Sequence, residues 1–268
     1  METERNERRY RGLLERSLGS ARQFRQWIRL SCSGRQRERQ REEVYLIELF
    51  DRLMTYPPSR RRVDYILAVD ENDSRIRNLV QGDGRALPGR PEFLESGWAT
   101  MMLTRYALGM HHSRGKVVLD SCSGLGWGSY LVDLVARHVI AVDVDRATLE
   151  CAQSLWPSHV TDYVQASVLT LCLDSASVDV ALAMESIEHF RLPDIHVYLD
   201  ELKRVLRPGG MLVGSSAFPG TRKMAQALCA RNPHHLHICT KNELMGILRS
   251  RFRRSHVCHN GLFFWAEK

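Results

Sequence analysis

Val117-Val118-Leu119-Asp120-Ser121-Cys122-Ser123-Gly124-Leu125-Gly126-Trp127-Gly128 is the stretch on which the fold turns. An apolar run ends in an acid, and a loop of small residues with three glycines follows. Residues 130–135 then resume an apolar pattern that reads as a helix. Glycine belongs where a chain turns tightly and where a ligand must approach the backbone with no Cβ in the way. The following helix offers unpaired N–H groups at its start. A second acid, Asp143, closes the next apolar run, Val139-Ile140-Ala141-Val142-Asp143, 23 residues after Asp120. At a strand tip that carboxylate suits two hydrogen bonds from ribose hydroxyls. Strand, glycine loop, helix and second acid together say more than a glycine loop alone. A tight strand–helix turn with no ligand is the alternative.

Outward from this stretch the pattern repeats. Apolar runs at 117–119, 139–142, 178–184 and 211–215 alternate with helical patterns at 130–135, 147–155 and 197–206. This is the rhythm of a parallel sheet covered by helices on both faces. Residues 243–252 read as a helix. Residues 256–259 and 262–266 read as strands joined by Asn260-Gly261, a strong hairpin signal. The expected class is α/β: a doubly wound, mostly parallel sheet finished by an antiparallel hairpin. A nicotinamide dehydrogenase fits poorly, because Gly124, Gly126 and Gly128 miss the GxGxxG register and Ser129 stands where the third glycine would fall.

The N-terminal side has another texture. Residues 13–30 form a weak amphipathic pattern and 40–54 a better one, ended by Pro57-Pro58. Residues 63–69 suit a short strand or a helix, 70–91 a loop, and 92–110 a helix. Three segments result: an Arg-rich helical appendage over 1–62, a helical and loop lead-in over 63–115, and the sheet domain over 116–268. The formal net charge of +7 lies wholly in the first of them, since residues 1–62 hold 16 Arg, no Lys and 9 Asp or Glu. Residues 63–268 hold 22 basic and 22 acidic side chains. The basic segment reads either as an arm for phosphate or as a solvated helical face.

Composition excludes several classes. With 44% apolar and 26% charged residues the chain is globular, neither disordered nor collagenous. No apolar run reaches the roughly 18 residues of a membrane helix. Residues 1–11 are too charged for a secretory signal. Seven scattered Cys without a CxxC pair suggest reduced thiols and a cytoplasmic protein.

Three blocks together resemble the class I S-adenosylmethionine-dependent methyltransferases over about residues 90–268. They are the 119–128 loop, the segment ending Met184-Glu185-Ser186-Ile187-Glu188-His189, and Glu201-Leu202-Lys203-Arg204-Val205-Leu206-Arg207-Pro208-Gly209-Gly210. The resemblance implies seven strands, the last antiparallel, and S-adenosylmethionine as cofactor. It implies that Asp120, Ser121, Cys122, Gly124 and Gly126 hold the methionine end of the cofactor. Asp143, with Val144 beside it, would take the ribose, and Ser167 and Val168 would border the adenine. Two positions depart from the family: Cys122 stands where members usually have Gly, and Ser167 where they often have Asp.

Glu185, Glu188 and His189 are spaced i, i+3, i+4, which on a helical turn gives one face. Asn232-Pro233-His234-His235-Leu236-His237 comes later. This set resembles two metal-dependent branches of the family, one methylating the 2′-hydroxyl at the 3′ end of small RNAs, the other catechol-type ubiquinone precursors. That resemblance implies Glu185, Glu188, His189 and His235 as ligands of a divalent ion such as Mg²⁺, Mn²⁺, Fe²⁺ or Zn²⁺. Glu185 would otherwise line the cofactor pocket, and Glu188 and His189 the cofactor or substrate pocket. Without a metal, His189 or His235 is the candidate general base. Phe218, Pro219 and Gly220 are expected in the acceptor wall. Trp98, Met101, Met102 and Tyr106 either lid the pocket or pack a core. The methyl acceptor reads as a small molecule or glycan hydroxyl, ahead of RNA held by the basic arm. A non-catalytic binding module is the third reading, motivated by Cys122 and Ser167.

Overall fold

The computed structural model describes residues 36–69, 76, 79, 86–258 and 260–268. The helix expected over 13–30 and most of the loop expected over 70–91 lie outside the described residues. The chain divides into two compact units, Met1–Ala107 and Leu108–Lys268.

In the first unit, α1 (Gln36–Thr55) buries the stripe Leu46, Leu49, Phe50 and Leu53. The helix α2 (Pro57–Ala68) begins on two prolines, whose fixed φ suits a first turn, and buries Val63, Ile66 and Leu67. Residues 63–68 are therefore helical. The single helix expected over 92–110 is two, α3 (Pro91–Glu95) and α4 (Trp98–Ser113), separated at Gly97 with φ +76°. Met101, Met102 and Tyr106 are buried, as core packing requires, while Trp98 is exposed with Arg105 stacked over it at 4.8 Å.

The second unit is built on a seven-stranded sheet of order β3-β2-β1-β4-β5-β7-β6. Its strands are β1 (Val117–Ser121), β2 (His138–Asp143), β3 (Thr161–Gln165), β4 (Val178–Met184), β5 (Leu206–Ser215), β6 (Arg254–Val257) and β7 (Phe263–Glu267). The first five are parallel, and β7 lies antiparallel between β5 and β6. The expected class and the antiparallel hairpin are both present. The helices α5 (Trp127–Val132), α6 (Arg146–Leu155) and α7 (Leu192–Val205) are the crossovers. Two more helices follow, α8 (Arg222–Cys229) and α9 (Lys241–Arg249). α8 has no counterpart in the sequence reading, because Ala225 is its only buried residue and its apolar stripe is too thin to see.

Residues 206–210 join β5 as a bulge, shown by the register step from Val178↔Leu206 to Val180↔Met211. Gly209 there has φ +75°. The core of the unit gathers around β4 and α7, with Leu119, Ala181, Ile195, Tyr198, Leu202 and Phe264 buried in one cluster. Strand order reverses between β1 and β4, and in open α/β sheets the crevice at the strand ends of such a switch is where ligands bind.

His112, near the end of α4, has its pKa lowered to about 4 by burial and by the neighbouring charges of His111 and Lys116. An unfolded histidine titrates near 6.5. As pH falls from about 6.5 to about 4 the unfolded chain gains a proton that the folded chain refuses, so stability is full above this window and declines through it. Thermal melts at pH 7, 5.5 and 4.5 are expected to show this decline, and His112→Asn is expected to flatten it.

Candidate active site

The glycine loop is fixed by its backbone. Ser123 N donates to Val142 O at 2.9 Å, and Gly126 N to Ser123 O at 3.0 Å. The Trp156 indole donates to Leu125 O at 2.6 Å. Gly126 has φ +72°, and a Cβ there would meet Ala152 Cβ at 2.7 Å and Tyr163 Cε1 at 3.0 Å. Gly124 has φ +53°, and its missing Cβ faces open space. One glycine thus lets the loop pack on α6, and the other keeps its outer face clear. Ser123 Oγ and Ser215 Oγ are buried without a hydrogen-bond partner. A cradle open at Gly124, with an unsatisfied hydroxyl on its own loop, fits a polar ligand laid along it.

Asp143 closes the loop. Its Oδ2 accepts from Gly124 N at 2.9 Å and its Oδ1 from Asp145 N at 3.0 Å. Val144 beside it is exposed. Gln165 Nε2 donates to Val144 O at 3.1 Å, and Ala166 N to Asp143 O at 3.0 Å, which ties the tips of β2 and β3 together. Ser167 is exposed, and its hydroxyl accepts from Leu169 N at 3.2 Å, so it stabilises its own turn. Val168 is buried in the core cluster. Asp120 is fully buried and accepts from Ser129 Oγ at 2.6 Å, so its carboxylate ties β1 to α5. Ser121 is likewise buried.

Cys122, where the resembling family usually has Gly, has φ +59°. A side chain in this left-handed region costs roughly 1–2 kcal/mol. Burial and the carboxylates of Asp143, Asp120 and Glu188 push its thiol pKa far up, so the thiol stays protonated. Glu185, at the tip of the adjacent β4, is also left-handed, with φ +48°, and its N–H donates to Ser215 O at 2.9 Å. Two non-glycine residues in this region thus stand at neighbouring central strand tips.

A 3₁₀ turn, Ile187–His189, follows β4. The loop 232–237 is stitched onto it. Leu236 N donates to Glu188 O at 2.8 Å, and His189 Nδ1 to His234 O at 3.0 Å. The His189 and His235 rings meet edge to face, centroids 5.2 Å apart. Ligand atoms of Glu188, His189 and His235 all lie within 4.8 Å of one another. Glu185 is not in this group. The i, i+3, i+4 spacing assumed a helix from 185, but the turn begins only at Ile187 and residue 185 is left-handed. Burial lowers the pKa values of His189 and His235, which keeps both neutral at pH 7. Since His189 Nδ1 donates, Nε2 carries the free lone pair. Asn232 Oδ1 accepts from His234 N, so its Nδ2 donates to His235 Nε2 at 3.1 Å. His235 Nδ1 is buried with no hydrogen-bond partner.

His237, Cys239 and Glu243 form a second close group. There the Arg222 guanidinium lies 3.2 Å from Glu243 Oε2 and 3.3 Å from His237 Nδ1. Glu243 also completes a capping box with Thr240 at the start of α9. The cation of this cluster is Arg222, and Cys239 is a buried thiol with its pKa raised to about 12. Phe218, expected in the acceptor wall, is buried edge to face on Phe264, centroids 5.6 Å apart. Its N–H donates to Gly261 O at 2.6 Å, so the hairpin turn draws it into the core. Ser186 and Tyr198 went unnoticed in the sequence. The available signal was a tyrosine on the apolar face of α7, since a buried phenol needs a partner.

Residues 119–214 match the family model described as a methyltransferase domain. A Mycolicibacterium smegmatis protein named "Probable S-adenosylmethionine-dependent methyltransferase" is 36% identical over 132 residues, 49% of this chain and 49% of that one. The chain thus spans about half the length of the curated relative it matches. Among solved structures, the PH0226 protein of Pyrococcus horikoshii superposes with TM-score 0.56 at 16% identity, over 71% of this chain and 98% of that one. The YcgJ protein of Bacillus subtilis gives 0.53 at 18% identity, over 57% and 69%. Both likenesses concern the fold. With the glycine loop, the acid at the β2 tip and the antiparallel β7 in place, residues 119–214 match a methyltransferase domain and this half of the chain is similar to an S-adenosylmethionine-dependent methyltransferase.

Proposed function

We propose that this protein transfers the methyl group of S-adenosylmethionine to a hydroxyl of a small molecule or glycan, in the cytoplasm. The observation that carries the reading is the convergence of Glu188, His189 and His235 on the turn after β4, the strand next to the glycine loop. The glycine loop and Asp143 would hold the cofactor. A sulfonium methyl is already activated, so the protein's work is alignment of the acceptor and removal of one proton. His189 Nε2 is the atom suited to take that proton. Its partner nitrogen is engaged by His234 O, which fixes the tautomer, and burial keeps the ring neutral.

The same three side chains fit a divalent cation. A carboxylate and two imidazoles are a borderline-hard donor set, and His235 Nδ1 is buried with no hydrogen-bond partner. Glu188, His189 and His235 would hold the ion, which would supply a lower acceptor pKa. The six described cysteines are free thiols, as a reducing compartment allows, and no described helix is long and apolar enough to cross a membrane.

Calorimetry with S-adenosylmethionine tests the cofactor part; no binding at millimolar cofactor would sink it. For the ion, Mn²⁺ titration of the wild type beside Glu188→Gln and His235→Ala is expected to show affinity at least tenfold lower in both variants, in line with about 1.4 kcal/mol per decade. Equal affinity in all three proteins rules the site out.

A further inference from the structure

Tyr198 lies on α7, outside both the glycine loop and the Glu188 turn, and is fully buried. Its hydroxyl is 2.6 Å from Ser121 Oγ and 3.0 Å from Ser186 Oγ. The direction of this chain is determined. Ser121 Oγ spends its one proton on Leu182 O at 2.6 Å. Tyr198 must therefore donate to Ser121, and Ser186 must donate to Tyr198. The result is a directed series, Ser186 to Tyr198 to Ser121 to the β4 backbone. Its two ends are informative. Ser121 is the last residue of β1 and leads directly into the glycine loop. Ser186 precedes the 3₁₀ turn, and its carbonyl accepts His189 N–H at 3.1 Å. The Cys122 side chain, the loop's departure from glycine, lies against the same hydroxyl.

We propose that Tyr198 is a positioning residue that couples the cofactor loop to the turn carrying Glu188 and His189, by bonding Ser121 and Ser186 at once. This rests on the reading that the glycine loop holds S-adenosylmethionine. Tyr198 touches neither cofactor nor acceptor; it sets the distance between the elements that do. Without its hydroxyl, Ser121 and Ser186 each lose a buried partner, and the β1 tip loses its side-chain link to the turn after β4.

The test is calorimetric titration with S-adenosylhomocysteine at a temperature where thermal melts show every variant folded. Tyr198→Phe, which removes one oxygen and with it two buried hydrogen bonds, is expected to weaken binding about 5- to 10-fold, the part of that loss felt at the cofactor loop. Ser186→Ala, which removes only the far end of the chain, is expected to weaken it about threefold through Tyr198. The double variant is expected to bind no more weakly than Tyr198→Phe alone. A purely structural tyrosine would lower the melting temperature and leave these affinities unmoved. Wild-type binding with unchanged affinity in both single variants overturns the coupling alone, as does strict additivity in the double variant. Failure of the wild type to bind S-adenosylhomocysteine overturns the cofactor reading and the coupling with it.

Discussion

Gly126→Ala is expected to lower the melting temperature by roughly 5–15 °C and to abolish cofactor binding. Two costs add. The residue sits at φ +72°, where a Cβ costs roughly 1–2 kcal/mol. The new methyl would also lie 2.7 Å from Ala152 Cβ, a short side chain on a helix that cannot swing aside. Overpacking of this kind costs about 1–3 kcal/mol. The sum, about 2–5 kcal/mol, shifts the midpoint of a domain this size by about 2–4 °C per kcal/mol. Relief would come by lifting the loop off α6, which breaks the Trp156–Leu125 bond and misplaces the cradle. Gly124→Ala is the informative contrast. Its φ is +53°, but nothing lies within 4 Å of the new methyl. Its melting temperature should fall by only about 2–8 °C, for a cost of about 1–2 kcal/mol. Its methyl projects into the space assigned to the cofactor, so affinity should fall far more than stability. If the two variants lose stability and affinity in the same proportion, the division of labour between the glycines is wrong.

Asp143→Ala is expected to weaken S-adenosylmethionine binding about 100-fold with a moderate loss of stability. The carboxylate accepts two backbone N–H groups, from Gly124 and Asp145, and each charge-assisted bond contributes about 1.5–3 kcal/mol. Removing it frees the loop at Gly124 and also removes the acceptor proposed for the ribose hydroxyls. Asp143→Asn separates these effects. Its amide keeps one acceptor oxygen but turns an NH₂ toward a backbone donor, so it should fall between wild type and alanine. Calorimetry and melts on the same samples measure both quantities. Unchanged affinity in Asp143→Ala would remove Asp143 from the cofactor site.

What could be read from the sequence was what is local along it. The glycine loop, the acid at the β2 tip and the Asn260-Gly261 turn are short-range patterns, and each is where it was expected. The exact span of β4 was readable because a strand buried on both faces is a continuous apolar run. The helix break at Gly97 was not, because the apolar period continues across it. Glu185 shows the same limit from the other side. Its spacing to Glu188 and His189 is helical in sequence, yet a left-handed backbone at its own position takes it out of the turn. The packing of Phe218 was not readable because a turn more than 40 residues later, at Gly261, reaches back to bond it. Ser121 and Tyr198 are 77 positions apart, and no local pattern pairs them.

That separation bears on how the molecule comes into being. During synthesis the glycine loop emerges well before β4, and before the helix that carries Tyr198. The pairing of β1 with β2 is local and can form early, whereas the pairing of β1 with β4 must wait for a long stretch of chain. Until then the loop has its glycines but lacks the hydroxyl that fixes its base. Cofactor affinity should therefore arise late in folding, together with the last parallel strands. A nascent or truncated chain stopping short of residue 198 would present the signature motif without the grip that the motif implies.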